Sequence, residues 1–416
     1  MNAPQLFCEV SDKKFGLLGF LSIDRTVNGK ACGGIRWGPH ISKDEIRALG
    51  YDMTLKYGFC NIRLGGAKSG IIAPFEMVGP ERRERLLAFG RQLAPLLRSR
   101  VYIPGADLGT NHQDMLTVLE GAGIKLSDQG HGEQAGYYTG LNVVQAVTVA
   151  LKHLGISLSN ASVALEGFGK VGGTIGQLLA DLNIKVVAIS TKHGALYNPE
   201  GLDIKKLLGL RDVHNAAWIE KYTDAERMTS AQLYLLPADV LVPCAGPWMI
   251  HEGNVDKIQA KAVVPGANIP ATRPIQERLE KRGVLYLPDF ICNSGGILAN
   301  TLEWRGLSRP QLESFFRGVL TQKMELILKR AVSLKRSPAI LAEELALENM
   351  EKLQEKKKEK KSLGKALSNP GRSIQFMASN YYRGKGPMKN LAAPLAEREA
   401  EYAFWGDNFK KERENK

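Results

Sequence analysis

Two lysines and an aspartate are the first residues whose types and spacing suggest chemistry. Lys68 sits in "NIRLGGAKSG", between glycines and just before Ser69. A lysine among glycines invites comparison with a phosphate loop, but that motif needs a glycine immediately before the lysine and a strand-to-helix context. Here Ala67 precedes Lys68, and the chain runs on into the apolar "GIIAPF". Gly65, Gly66 and Gly70 instead predict a turn whose backbone comes close to something small. Lys56 lies seven residues after Leu49 and three after Met53, on or beside the apolar stripe of a helix. A lysine facing a core needs an anionic partner or a path for its head group to water. Lys56 on the helix and Lys68 on the turn after it can converge on one small anionic substrate. Each cation then lowers the other's pKa and burial lowers both, so that one becomes competent for proton transfer near neutral pH. In "VYIPGADLGT", Asp107 follows a strand-like run at a turn. A carboxylate there is often only a turn residue; beside the lysines it can shuttle protons.

A phosphate signal does occur, a hundred residues later. "VALEGFGKVGGTIG" contains Gly167, Gly169 and Gly172 in the GxGxxG spacing, with Phe168, Lys170 and Val171 between them. It follows an apolar run and opens a helical pattern. The first glycine permits the tight turn, the second lets a pyrophosphate approach, and the third lets helix pack on strand. About twenty residues on, where an NAD site usually places Asp or Glu, stand Ser190, Thr191, Lys192 and His193. Without that carboxylate a 2′-phosphate is not repelled and Lys192 can meet it. The cofactor expected is NAD(P), with NADP slightly favoured.

The elements that must position these residues follow. "SKDEIRALGYDMTLKYG" opens with Ser42 and has Glu45 three residues later, a capping-box start to a helix. "LNVVQAVTVALKHLG" reads as a helix leading into the strand "ASVALEG". Short β-branched runs then alternate with turns and helical stretches: "IKVVAIS", "DVLVPCA", "AKAVVPGA" and "VLYLPDF". That alternation predicts a parallel α/β sheet. From Arg309 to Met350 the periodicity is helical, and a charge run, "EKLQEKKKEKK", follows.

A chain of 416 residues exceeds one small core, so two domains are expected. Its 44% hydrophobic and 24% charged residues suit a soluble globular protein. No run of 18 apolar residues occurs, and the start lacks a signal-peptide pattern. Five scattered cysteines without a CxxC favour reduced thiols in the cytoplasm, and no histidine spacing calls for a metal. The net charge is +13, yet the chain from Glu351 onward holds 16 Lys and Arg against 9 Asp and Glu. Basicity therefore describes the tail more than any site. A nucleic-acid role through Tyr381, Tyr382, Arg383 and Lys385 is the weaker reading beside a solvated run.

Nine stretches, in order, carry a resemblance: "GGIRWGP", "MTLKYGFCNIRLGGAKSG", "PGADLGT", "TGLNVVQAV", "GFGKVG", "GALYNPEG", "VLVPCAG", "GANIPAT" and "LPDFICNSGG". Together they resemble the glutamate/leucine/phenylalanine/valine dehydrogenases, over roughly Asp24 to Glu303. The resemblance implies a substrate and oligomerisation domain over 1–135 and a Rossmann domain over 136–305. It also implies C-terminal helices over 306–350 that pack back on the active-site cleft, with a basic extension over 351–416. It implies NAD(P)+-dependent oxidative deamination of an L-amino acid to a 2-oxo acid and ammonium, in a homo-oligomer. Lys56 would bind the substrate α-carboxylate, Lys68 would activate water, and Asp107 would exchange protons with the substrate nitrogen. Gly34 and Ile297 would line the substrate, while Thr139, Ala245, Asn268 and Asn293 would fall near the cofactor.

The side-chain end of the pocket departs from that pattern. Where glutamate dehydrogenases carry a lysine before the first Gly-Gly, this chain has Cys32, and where they carry a serine after NxGG it has Asn300. Pro265 replaces the usual acid before "GAN". A thiol cannot neutralise a γ-carboxylate, so a neutral side chain is at least as well suited as glutamate. The alternative is a family relative that binds nucleotide and acts as a scaffold through its tail. The retained Lys56, Lys68 and Asp107 argue against it, because a scaffold needs no buried cations.

Overall fold

The computed structural model describes residues 3–125, 134–213, 216–303 and 308–364, with no side chains for 214–217, 300–303 and 355–364. The described residues divide into two compact units, one built from 3–125 and 343–364, the other from 134–342.

The first unit is a mixed sheet with helices on both faces. Its strands are β1 (Leu6–Asp12), β2 (Leu17–Ile23), β3 (Ala31–Gly38), β4 (Gly65–Ile72) and β5 (Tyr102–Ala106). They lie in the order β1-β2-β4-β3-β5. β1 and β2 form an antiparallel hairpin, β2 is antiparallel to β4, and β3 runs parallel to both β4 and β5. The helices are α1 (Lys43–Phe59), α2 (Gly79–Gln92), α3 (Ala94–Arg98) and α4 (His112–Gly121).

Alternation along the strands sorts the side chains between the faces. Ile35, Trp37, Ala67 and Ile71 join Leu86, Phe89, Leu97 and Val118 in a dry core on the α2–α4 side. Cys32, Gly34, Arg36, Gly66, Lys68 and Gly70 therefore face the other way, toward α1. A Cβ on Gly66 would fall 2.2 Å from the Thr54 backbone nitrogen, and one on Gly70 would fall 2.8 Å from the Ile41 side chain. The turn expected around Lys68 is thus corrected: residues 65–72 form a strand. Gly66 is bare because the α1 backbone lies directly on it, Gly65 because the Arg25 carbonyl does, and Gly70 because the Ile41 and Ile46 side chains do.

The second unit is a seven-stranded sheet. Its strands are β6 (Ser162–Glu166), β7 (Lys185–Thr191), β8 (Gly194–Tyr197), β9 (Glu226–Met228), β10 (Val240–Pro243), β11 (Ala262–Val263) and β12 (Leu285–Tyr286). The order is β12-β11-β10-β6-β7-β8-β9. The first five pair in parallel, and β8 and β9 add antiparallel. The helices are α5 (Ala135–His153), α6 (Lys170–Asp181), α7 (Ile204–Val213), α8 (Arg273–Lys281), α9 (Asp289–Cys292), α10 (Gly295–Glu303), α11 (Arg309–Phe315) and α12 (Thr321–Leu334). β6, α6 and β7 make a βαβ unit, and the strand order reverses between β6 and β10, as in a Rossmann-like fold. All five strand runs read from the sequence are present. The run "VLYLPDF" yields only two strand residues, because Pro288 caps α9. The β8–β9 pair was not anticipated, since four and three residues are too short for a periodic signal.

The last described helix, α13, spans Pro338–Gly364. Within the first unit it packs on α1 at Gly58, where a Cβ would lie 2.1 Å from the Ala346 carbonyl oxygen. The Asn349 side-chain amide donates to the Gly58 carbonyl at 3.2 Å. The basic extension beyond 364, including Tyr381 to Lys385, lies outside the described residues. Among the described residues no helix is long and apolar enough to cross a membrane.

Candidate active site

In the first unit Lys68 projects from β4, Arg36 from β3 and Asp107 from the turn after β5. The Lys68 Nζ lies 2.8 Å from Asp107 Oδ2, and Arg36 Nε donates to the same oxygen at 3.0 Å. Asp107 Oδ1 accepts no hydrogen bond among the described residues. The Lys68 side chain is 3% exposed and that of Asp107 18%, so the carboxylate is the member within reach of a ligand. Its turn is pinned by Thr110, whose Oγ1 accepts from the Asp107 amide at 2.9 Å and donates to the Ile35 carbonyl at 2.7 Å. Gly34 has a steric reason here: a Cβ would sit 2.7 Å from Asp107 Cβ.

Helix α1 supplies the next layer. Ser42 Oγ accepts from the Glu45 amide at 3.1 Å, as expected of an N-cap. The Glu45 carboxylate, however, pairs with the Arg36 guanidinium, so the expected capping box gives way to an ion pair. One turn before Lys56, Asp52 pairs with it at 2.9 Å, both side chains being 5% exposed or less. That partner resolves how a lysine is tolerated here. Three cations and three carboxylates thus occupy the layer between sheet and helix.

Burial pushes the Lys68 ammonium below its usual range. Asp107 pulls it back, while Arg36 and Lys56 add to the lowering. For Asp107 burial acts upward, but Lys68 and Arg36 outweigh it and hold the carboxyl well below the usual carboxylate range. The pair is therefore an ionised carboxylate beside an ammonium that gives up its proton more readily than a free lysine. Cys32, on the same face of β3, stays a neutral thiol. Burial raises it, and the Tyr57 hydroxyl and the Lys68 charge only partly offset that. Tyr57 itself is buried.

In the second unit the three glycines of the loop do three separate things. Gly167 adopts φ 89°, which a side chain would resist. Gly169 faces open space, while a Cβ on Gly172 would fall 1.9 Å from the Gly167 carbonyl. Gly169 is also the N-cap of α6 and brings no side chain to the helix's first amides. Those N–H groups suit a phosphate. The Phe168 ring is buried against Trp218, Lys170 is exposed and Val171 half-buried. At the end of β7, the Ser190 hydroxyl accepts from the Gly167 amide at 3.3 Å and Thr191 Oγ1 accepts from the His193 amide at 3.1 Å. Lys192 is exposed.

Asn293 donates through Nδ2 to Asn268 Oδ1 at 2.9 Å and to the Ala267 carbonyl at 3.0 Å. Because Nδ2 must serve those acceptors, Oδ1 points elsewhere, and it is buried with no partner among the described residues. A carboxamide N–H, such as a nicotinamide carries, would meet that need. Thr139 donates to the Ala135 carbonyl at 2.8 Å and lies against Gly296, one residue before Ile297. Asn300 lies on α10, but its side chain is outside the described residues. These features fit a dinucleotide.

Four residues escaped the sequence reading. Arg36 lay inside the quoted "GGIRWGP", Glu45 was read as a cap, and Asp52 stood one turn before Lys56. Glu166 precedes the first glycine, and its carboxylate accepts from the Cys244 and Ala245 amides, both at 2.9 Å. It thereby fixes the loop after β10 beside Gly167. A cavity of about 340 Å³ opens beside Glu166, lined also by Ser230, Gln232, Tyr234, His251 and Lys257. Among the described residues no cluster of His, Cys, Asp and Glu could hold a metal ion.

Two family models match the chain. One, described as the Glu/Leu/Phe/Val dehydrogenase dimerisation domain, matches residues 6–122. The other, Glutamate/Leucine/Phenylalanine/Valine dehydrogenase, matches residues 131–364. The chain is 33% identical over 351 residues to the glutamate dehydrogenase of Thermotoga maritima, covering 78% of this chain and 83% of that one. It is 32% identical over 340 residues to the catabolic NAD-specific glutamate dehydrogenase of Bacillus subtilis, covering 76% and 78%. The fold is that of the hetero-hexameric glutamate dehydrogenase from Thermus thermophilus in its Leu-bound form. The TM-score is 0.71 at 24% identity, covering 84% of this chain and 89% of that one.

Proposed function

We propose, from the premise that the chain belongs to the glutamate/leucine/phenylalanine/valine dehydrogenase family, that Lys56, Lys68 and Asp107 carry its oxidative deamination of an L-amino acid. The observation that carries this reading is the shared contact of Lys68 and Arg36 on Asp107 Oδ2, with Oδ1 accepting from none of the described residues. The substrate carboxylate rests against the Lys56 ammonium. Asp107 takes a proton from the substrate ammonium group, so that the nitrogen lone pair can expel the α-hydrogen as hydride and leave an iminium. A nicotinamide cofactor, when bound, supplies the hydride acceptor. Lys68, as the free amine, draws a proton from water while the water oxygen adds to the resulting iminium carbon. Lys68 passes that proton to solvent and the Asp107 proton returns to the nitrogen; as the C–N bond breaks, Lys68 takes the proton of the new hydroxyl, so that ammonia leaves behind a 2-oxo acid. Lys68 finally releases its proton to solvent.

The substrate we propose has a neutral side chain. Relatives are named glutamate dehydrogenases, but Cys32 offers a neutral thiol and no cation. A buried γ-carboxylate without a partner costs several kcal/mol. Assay of the twenty L-amino acids with NAD+ and NADP+, and of 2-oxo acids with ammonium in reverse, tests both levels. The expected result is highest kcat/KM for a neutral amino acid. Glutamate as best substrate overturns the pocket reading alone, and no turnover with any amino acid overturns deamination by this chain.

The end of β7 supports NADP, since Ser190 to His193 include no carboxylate and Lys192 is exposed. The Bacillus subtilis relative is named NAD-specific, so the choice needs measurement. Lys192→Glu is expected to lower kcat/KM for NADP+ about tenfold and to spare NAD+. An equal effect on both cofactors would remove Lys192 from the 2′-position. A homo-oligomer formed through residues 6–122 completes the proposal, since the matching model is described as a dimerisation domain.

A further inference from the structure

We infer that Arg36 and Glu45 form a buried counter-charge chain that positions Asp107 and sets the pH window in which the Lys68–Asp107 pair works. The inference rests on the deamination reading above and concerns residues outside the set Lys56, Lys68 and Asp107. Arg36 and Glu45 are 6% and 7% exposed, so neither charge is offset by water. The guanidinium uses two edges at once, Nε toward Asp107 Oδ2 and Nη1 toward Glu45. A planar fork held at both edges cannot rotate, and a lysine could not hold both carboxylates in fixed directions. Asp107 is confined from the other side by the space Gly34 leaves. One face of β3 thus carries a thiol at Cys32, a slot at Gly34 and a clamp at Arg36.

Arg36 acts on both members of the working pair in the same direction. Its charge favours the Asp107 carboxylate and disfavours the Lys68 ammonium. Glu45 offsets that charge from the α1 side. The other groups acting on the pair are Lys56, backed by Asp52, on α1; Cys32 on β3; and Tyr102 on β5. Tyr57 of α1 acts through Cys32.

The two substitutions should therefore move the activity in opposite directions. Arg36→Gln removes a cation, so both ionisations move up and the rise of kcat/KM with pH shifts to higher pH by about one unit. Glu45→Gln leaves the Arg36 charge uncompensated, so both ionisations move down and the profile shifts to lower pH. Arg36→Lys keeps the charge but loses the fork, so kcat falls while the profile stays near that of the wild type. A merely structural role lowers the amount of folded enzyme without splitting the shifts by sign.

The experiment is the pH dependence of kcat/KM for the three variants and the wild type, with the best amino acid from the substrate panel. Competitive acetylation of the Lys68 amine by acetic anhydride, followed by mass spectrometry from pH 6 to 11, gives a readout independent of turnover. Upward displacement in Arg36→Gln and downward displacement in Glu45→Gln support the proposal. Unmoved curves, or curves that move the same way, overturn it. Should the wild type deaminate nothing, the deamination reading fails while the acetylation curves still decide the charge chain. Should Arg36→Gln not fold, the sign of the Glu45→Gln shift decides alone.

Discussion

Replacement of Lys68 by alanine is expected to lower kcat by about three to four orders of magnitude while leaving the protein folded. The loss follows from position. Lys68 is the cation whose ammonium burial already strains, and Asp107 is its partner at 2.8 Å. No other described group touching Asp107 can act as a base, because Arg36 stays charged: its two carboxylate partners outweigh burial. On the proposed mechanism KM for the amino acid should change far less, since Lys56, proposed to hold the α-carboxylate, remains. Stability should also change little. Asp107 keeps Arg36, so no carboxylate is stranded, and a costly buried cation is gone. Steady-state kinetics beside a thermal melt test both halves. Partial recovery of turnover by added ethylamine would show that the missing group is an amine. A kcat within tenfold of the wild type would remove Lys68 from the chemistry.

Residue types at the site were legible in the sequence, whereas their backbone was not. Lys68, Lys56 and Asp107 stood out because cations and a carboxylate near glycines are chemically conspicuous. The glycines beside Lys68 suggested a turn, because the sequence shows conformational freedom and not what presses on it. In the structure Gly66 and Gly70 are strand residues cleared for α1. Arg36 was hidden for a related reason. It meets Asp107 only because β3 pairs in parallel with both β4 and β5, and nothing local encodes that pairing. Glu45 carried a plausible local reading as a cap, which masked its long-range one. The geometry of the glycine-rich loop at 167–172 was more legible, since its three glycines act over six residues and each requirement is local.

Asp107→Asn is expected to abolish turnover nearly as fully as Lys68→Ala, with a kcat loss of about three orders of magnitude, but with a loss of stability that Lys68→Ala does not show. The amide is close in shape, so it leaves the Gly34 slot and the Thr110 turn intact. It removes the one negative charge that Lys68 and Arg36 share on Oδ2. Two buried cations then face each other across a neutral group, at a cost of about 3–5 kcal/mol. Lys68 also loses its upward pull, so its amine forms at lower pH, and the residual activity should level off earlier than in the wild type as pH rises. The double variant Asp107→Asn with Lys68→Ala separates these effects. Arg36 keeps Glu45, and the cation left unpaired is gone, so the melting temperature should recover toward that of Lys68→Ala while activity does not. Such non-additivity is expected only of charges in direct contact. A double variant no more stable than Asp107→Asn alone would mean that the ion pair is not what the substitution breaks. Retention of a tenth of the activity by Asp107→Asn would mean that its carboxylate does not move the proton.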